Sequence, residues 1–222
     1  MILTSILRKG NYSFFEIGCA PGGWLVYFHK QFQFSVSGVD YAPEAYKKTI
    51  ENLELLKIPA QIKNADFFNF EHAPYDIVFS SGFIEHIKNV SSVVERIISL
   101  SKPKGGIVIT IIPTMHGLNW MISKTFRPKV AAGHFPISRD MLTNLHEKYG
   151  LQTLYSGYLG SFQLLPPIAK NAFADKLPLV SSIINFPFRT WNKVITSFNK
   201  TFKFYPSFSP ICTKILYIGR KA

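Results

Sequence analysis

The chain has 222 residues, 47% hydrophobic, 15% aromatic and 17% charged, which supports a sizeable core and excludes a disordered chain. Two cysteines, Cys19 and Cys212, exclude a disulfide-built scaffold and a CxxC zinc site. The net charge of +12 is lopsided: residues 1–96 carry nine Lys/Arg against ten Asp/Glu, and residues 97–222 carry sixteen against three, with no acid after Asp175. The second half is therefore expected to meet something anionic, such as nucleic acid, a membrane surface or a phosphorylated substrate.

The first ten residues, MILTSILRKG, lack the order of a secretory signal, so a cytoplasmic setting is expected. The longest uncharged run, between Lys148 and Lys170, is interrupted by Gly150, Gly157, Gly160, Pro166 and Pro167. It does not read as a bilayer span, which needs ~20 mostly apolar helical residues.

Along the chain, short apolar runs alternate with helix-period segments. Tyr12–Ile17 is a predicted strand, followed by a Gly-rich turn and a helix from about Gly22 to Lys30. Phe34–Val39 is a second strand ending at Asp40, and Pro43 opens a helix with Tyr46, Ile50, Leu53 and Leu56 on one face. Ala60–Lys63 and Tyr75–Phe79 are the third and fourth strands. Ser91 or Ser92 is expected to cap a helix carrying Val94, Ile97, Ile98 and Leu100, which stops before Pro103. Gly106–Ile112 is a fifth strand. Ser138 caps a helix with Met141, Leu142 and Leu145, and Leu151–Tyr155 is a sixth strand. A stretch rich in Phe, Pro and Ser leads to a last strand at Ile211–Ile218. This alternation predicts right-handed βαβ units, hence an α/β sheet with helices on both faces.

The join between the first strand and first helix, Glu16-Ile17-Gly18-Cys19-Ala20-Pro21-Gly22-Gly23-Trp24, carries the chemical signal. Gly18 lets the backbone turn sharply and approach a ligand, and the N–H groups opening the helix favour an anion. Asp40 follows about 20 residues later at a strand end, where an acid accepts from ribose hydroxyls. The nicotinamide-type GxGxxG is absent, because Ala20 occupies its middle glycine position. The alternative is a tight strand–helix turn with an incidental acid.

These residues resemble those of the class I S-adenosylmethionine-dependent methyltransferases. EIGCAPGG resembles the family's first motif, (D/E)xGxGxG, with Ala20 as a departure, and GVDYAPEA its acidic second motif. KNADFFN is similar to the third, YDIVFSSGFIEHI to the fourth-strand segment, and SKPKGGIVITIIP to the fifth. GHFPISRDMLTNLHEKYGL resembles the His-containing linker of the broad small-molecule branch. The resemblance covers roughly residues 12–156, and Ile211–Lys221 resembles the terminal strand.

It implies a Rossmann-like three-layer sandwich with a seven-stranded, mostly parallel sheet and an antiparallel last strand. A single domain is expected, its core about 12–156 plus 207–222 and a lid-like insertion about 157–206. The implied cofactor is S-adenosyl-L-methionine, with S-adenosyl-L-homocysteine as product. Gly18, Cys19, Ala20 and Gly22 would form the loop beneath its methionine part, with Glu16 as support. Asp40 would take the ribose hydroxyls and Tyr41 would lie against adenine. Asp66 would accept from the adenine amino group beside Phe67, and Ser80, Ser81 and Gly82 would border the sulfonium methyl. Other readings stand beside these: Asp76 caps or pairs, Cys19 fills the loop, and Phe67, Phe68 and Phe70 are core.

The expected reaction is O-methylation of a small-molecule acceptor (a sugar, glycan precursor or lipid-like compound), with His134 as first candidate base and His86 as second; His116 and Glu85 are further options. Glu85-His86 lacks the first acid of an ExxEH metal pattern, since Gly82 stands there, so no metal is expected. GCAPGGW also resembles the RNA ribose 2′-O-methyltransferases. Ser81, and Thr110 or Ile111, fall where that family carries its Asp and Lys, which argues against nucleic acid as acceptor. A nucleic-acid methyltransferase and a non-catalytic cofactor-binding module are the alternatives. In the C-terminal third, Trp191, Val194, Ile195, Phe198 and Phe202 form a stripe opposite Arg189, Lys193 and Lys200. This basic amphipathic helix, about 189–204, is expected to cover the site, or to rest peripherally on an anionic membrane.

Overall fold

The computed structural model describes residues 2–70, 74–160, 162–166, 178–204, 206 and 208–222. The sheet contains β1 (Ser13–Ile17), β2 (Ser35–Asp40), β3 (Ala60–Asn64), β4 (Ile77–Ser81), β5 (Ile107–Pro113), β6 (Leu151–Leu159) and β7 (Lys214–Lys221). Their order is β3-β2-β1-β4-β5-β7-β6, with the first five parallel and β7 antiparallel. The reversal is visible at the outer end of β7, where Gly105 N–H donates to Lys221 O and Lys221 N–H returns to Gly106 O. All seven strands were predicted, with β6 extending four residues beyond its expected end at Tyr155.

The helices are α1 (Ile2–Ile6), α2 (Gly23–Phe32), α3 (Pro43–Leu55), α4 (Val90–Ser99), α5 (Gly117–Phe126), α6 (Pro128–Ala132), α7 (Arg139–Lys148) and α8 (Pro178–Phe202). The cap of α4 is neither Ser91 nor Ser92. It is Asn89, whose side chain accepts from Ser92 N–H at 3.3 Å, the shape of an Asx cap. Two compact units divide the chain: Met1–Ile111 with Asp140–Ser156 and Tyr217–Ala222, and Ile112–Arg139 with Gly157–Leu216.

In the first unit β1 is buried along nearly its whole length, as a central parallel strand should be. Phe14 stacks on Phe28 of α2 with ring centroids 4.2 Å apart, and Phe28 meets Phe79 of β4 at 5.3 Å. Its neighbour Phe15 stacks on Tyr75 at 4.5 Å and Phe70 at 5.4 Å, so successive β1 side chains meet separate aromatic groups. Asp76 accepts from Ser13 N–H at 2.9 Å and Lys102 Nζ at 2.6 Å, so it pairs and pins β1 to β4, as its position before β4 suggested.

His146 of α7 is fully buried. Its Nδ1 lies 2.8 Å from Leu142 O and so carries the proton, leaving Nε2 to accept from Thr110 of β5 at 3.0 Å. Burial pushes its pKa down to about 4, against the Leu142 carbonyl that favours the charged ring. The unfolded chain takes up this proton near pH 6.5 and the native chain does not until about pH 4. Stability is therefore complete above the unfolded value and is lost as pH falls through that window. His146→Gln is expected to remove roughly 3 kcal/mol of acid sensitivity between pH 7 and 4, measured by urea melts. An unchanged pH slope would contradict this.

Candidate active site

The turn after β1 is held by the end of β2. Gly18 N–H and Cys19 N–H both donate to Val39 O, at 2.9 and 3.2 Å, and Ala20 N–H reaches Asp40 Oδ2 at 3.3 Å. Asp40 Oδ1 accepts from Ala42 N–H at 3.0 Å, which turns the chain toward α3. Asn52 of α3 donates to Pro21 O at 3.0 Å, closing the loop from the other side. Gly18 has φ +66° and Gly22 +92°, the left-handed region that other residues rarely enter. Gly22 is the residue before α2, so the helix opens at Gly23, one residue beyond its expected start at about Gly22. Gly38 is a further requirement: a Cβ there would lie 2.8 Å from the Cys19 Cβ and 3.0 Å from Glu16 O.

Two cavities flank this loop and share Gly18. The first, 430 Å³, is lined by Glu16, Gly18, Cys19, Ala20, Trp24 and Ser81 among others. The second, 660 Å³, is lined by residues including Asp40, Tyr41, Asp66, Phe67, Phe83 and His86. Of the predicted loop residues, Gly18, Cys19 and Ala20 border the first cavity together with Glu16, whereas Gly22 borders neither and faces Thr49 and Leu53; Asp40, Tyr41, Asp66 and Phe67 border the second.

Glu16 is buried, and its Oε2 has no partner among the described residues. Burial pushes its pKa well above the usual carboxylate range; the Leu25 N–H favours the charged form, and nearby Asp40 works against it. An unpartnered carboxyl oxygen on a cavity wall suits a cationic group such as an ammonium. Ser80 Oγ is likewise buried without a partner, while Ser81 borders the cavity beside Glu16. Tyr41 is 78% exposed, an aromatic face open to a planar ligand. Asp66 caps a short 3₁₀ turn (Phe67–Asn69), accepting from Phe68 N–H at 3.0 Å and Asn69 Nδ2 at 3.1 Å. Phe67 and Phe70 are buried and Phe68 is half-exposed, so the three are not all core.

His86 is exposed on the wall of the larger cavity. His134 belongs to the second unit, where its ring meets Trp120 edge-on at 6.2 Å. His116, in the same unit, is hydrogen-bonded to Ser209. Thr110 is buried against His146 rather than bordering either cavity. Cys19 fills the loop against Gly38. Burial pushes its thiol far above the ordinary range, and Glu16 and Asp40 add to the shift. Sequence reasoning passed over Phe83, whose ring lies 3.4 Å from where a Gly18 side chain would begin. Only its position directly after Gly82 pointed to it.

The strand order, the reversed β7 and paired cavities where β1, β2 and β4 end are the Rossmann-like arrangement of class I methyltransferases. A family profile described as a methyltransferase domain matches residues 5–156; the chain belongs to that family and is an S-adenosylmethionine-dependent methyltransferase. Phosphoethanolamine N-methyltransferase 2 of Caenorhabditis elegans is 28% identical over 122 residues, 52% of this chain and 28% of that protein. The Haemonchus contortus phosphoethanolamine N-methyltransferase 2, solved with S-adenosyl-L-methionine, superposes with TM-score 0.64 at 18% identity, covering 99% of this chain and 51% of that one. A cyclopropane synthase from Mycobacterium tuberculosis gives 0.63 at 16% identity, covering 99% and 81%. The chain thus spans about half the length of the nematode structure, and these superpositions speak for the fold.

Because Cys19 is buried and protonated, it is expected not to react with a disulfide-type thiol reagent in the native state, and to react once the chain is unfolded in guanidinium. Rapid native labelling at Cys19, located by peptide mass, would contradict this reading.

Proposed function

We propose that the chain transfers a methyl group from S-adenosylmethionine to an oxygen of a small-molecule acceptor, a sugar, glycan precursor or lipid-like compound. The two cavities meeting at Gly18 carry this reading. The cofactor supplies a methyl group on a sulfonium sulfur, open to direct displacement by the acceptor's nucleophile. The chain's own task is alignment and exclusion of water. Glu16, Gly18, Cys19, Ala20 and Gly22 hold the methionine part, with the Glu16 carboxyl toward its ammonium. Asp40 takes the ribose hydroxyls, Tyr41 and Phe67 lie beside the adenine, and Asp66 accepts from the adenine amino group. Ser80 and Ser81 border the reacting methyl.

A hydroxyl nucleophile needs its proton removed, and His134 is the first candidate base, with His86 second. The chain acts as a single domain in which about 157–206 forms the acceptor-side lid. Peripheral contact of about 189–204 with an anionic membrane belongs to the same reading, since a lipid-like acceptor would be met there. The apolar runs Leu164-Leu165-Pro166-Pro167 and Leu177–Phe188 would add to a hydrophobic acceptor pocket; Pro167 and Leu177 lie outside the described residues.

A second reading has its own support. The curated relative at 28% identity is named for phosphoethanolamine, and the second unit carries eleven Lys/Arg against one acid, Asp175. An amine acceptor bearing a phosphate suits that charge and needs no base beyond solvent.

Asp40→Ala is expected to weaken S-adenosylmethionine binding by roughly 10- to 100-fold, the cost of hydrogen bonds to a charged group, measured by isothermal titration. Unchanged affinity would refute the ribose role. Methyl-labelled cofactor incubated with fractionated small-molecule extract is expected to label an alkali-stable methyl ether. His134→Ala is expected to lower kcat by about 10²- to 10⁴-fold, leaving KM for the cofactor unchanged. Label on an amine, with no effect of His134, would favour the phosphate-bearing amine. Label on RNA would overturn both.

A further inference from the structure

A further cavity, 680 Å³, opens in the first unit at the end of the sheet where the parallel strands begin. Its lining includes Tyr12 just before β1, Phe34 just before β2, and Ile77 and Ile107, which open β4 and β5. Arg220 joins them because β7 runs against its neighbours and so ends where they start. The cofactor cavities lie past the other ends of these strands. Five residues of β1 at ~3.3 Å each put about 15 Å between the two sites. No lining residue is shared.

Two guanidinium groups, Arg8 and Arg220, border this cavity, each carried on fixed backbone. Leu7 is buried with its N–H on Leu3 O at 2.8 Å, and Gly10 N–H donates to Phe32 O at 3.0 Å, so the segment bearing Arg8 is held on both sides. Arg220 stands between buried Gly219 and Lys221, whose backbone pairs with Gly105 and Gly106. Among the described residues neither guanidinium has a hydrogen-bond or ion-pair partner. The one acid on the wall, Asp76, is already engaged by Lys102 Nζ and by the Ser13 N–H and hydroxyl. An apolar surface adjoins the charge. The Tyr12 ring is 43% exposed and meets buried Phe34 edge-on at 5.8 Å. Its placement requires Gly10, where a Cβ would lie 3.0 Å from Tyr12 Cε2.

We infer that this cavity is a second ligand site, which binds a small aromatic phosphate monoester with Arg8 and Arg220 on the phosphate and Tyr12 against the ring. The charge balance selects a phosphate. A monoester carries about −1.5 to −2 at pH 7 and so matches two guanidinium groups, whereas a carboxylate matches one. Guanidinium forks also suit phosphate oxygens, and such charge-assisted bonds are the strong ones. The volume falls within the ~300–1,000 Å³ usual for small-molecule sites. The exposed Tyr12 face offers a ring an offset or edge-on partner. Because the strands separate this site from the cofactor loop, its ligand is neither cofactor nor acceptor. The inference is therefore independent of the methyltransferase reaction.

The test is isothermal titration of phenyl phosphate into the full chain at low salt, with inorganic phosphate titrated separately. Saturable binding of one phenyl phosphate per chain is expected, about tenfold tighter than inorganic phosphate because the ring adds its own contacts. Arg8→Gln and Arg220→Gln are each expected to weaken it by roughly tenfold or more, the loss of hydrogen bonds to a charged group. Tyr12→Ala is expected to erase the advantage over inorganic phosphate. Lys9→Gln removes an exposed charge next to Arg8 that does not line this cavity, and is expected to change affinity by less than about twofold. Saturating S-adenosyl-L-homocysteine is expected to leave the probe's affinity unchanged. Circular dichroism and S-adenosyl-L-homocysteine binding check that each variant is folded. No saturable binding, binding untouched by both arginine substitutions, or equal weakening by Lys9→Gln would overturn the proposal. Displacement of the probe by S-adenosyl-L-homocysteine would also overturn it, placing the probe in the cofactor cavities. Failure of phenyl phosphate to bind, with S-adenosyl-L-homocysteine binding intact, would leave the methyltransferase reading standing.

Discussion

One backbone oxygen organises the site. Val39 O, near the end of β2, accepts from two successive N–H groups, those of Gly18 and Cys19, and so ties the loop leaving β1 to its neighbouring strand. That double acceptance requires the loop to lie flat over β2, which in turn requires a bare Cα at Gly38 beneath Cys19 and a left-handed turn at Gly18. With the loop so placed, Asp40 follows directly beyond the tie, one oxygen on Ala20 N–H and the other on Ala42 N–H. The carboxylate is thereby fixed before any ligand arrives, and little ordering remains for binding to impose.

Burial of Glu16 adds an electrostatic counterpart. A carboxyl group taken out of water beside Asp40 has its ionised form disfavoured, and an unpartnered oxygen on the cavity wall makes that position costly when empty. A cationic group restores the balance.

Most of the sheet could be read from the residues because parallel strands buried on both faces are continuous apolar runs, as in Phe14–Ile17 and Val108–Ile112, and glycine or proline punctuates their ends. The place of Asp40 at the end of β2 and the turn at Gly18 were readable for a like reason: both rest on local spacing. The elements between β5 and Ser138 were not. Gly117–Phe126 lacks a clean apolar period, and Pro128 hides the start of α6. Asn89 was overlooked as a cap because two serines follow it. The orientation of α8 was beyond sequence altogether. A stripe of Trp, Val and Phe normally marks the buried side, and here Asn192 is drawn inward by Leu164, 28 residues away. Long-range satisfaction of backbone groups leaves no periodic trace.

The account stands or falls on occupation of the two cavities that meet at Gly18. Isothermal titration of S-adenosyl-L-methionine into the intact chain tests it most directly. The expected result is saturable binding of one cofactor per chain, with S-adenosyl-L-homocysteine competing for the same site. An absence of heat, together with no shift of the thermal midpoint at saturating cofactor, would contradict it.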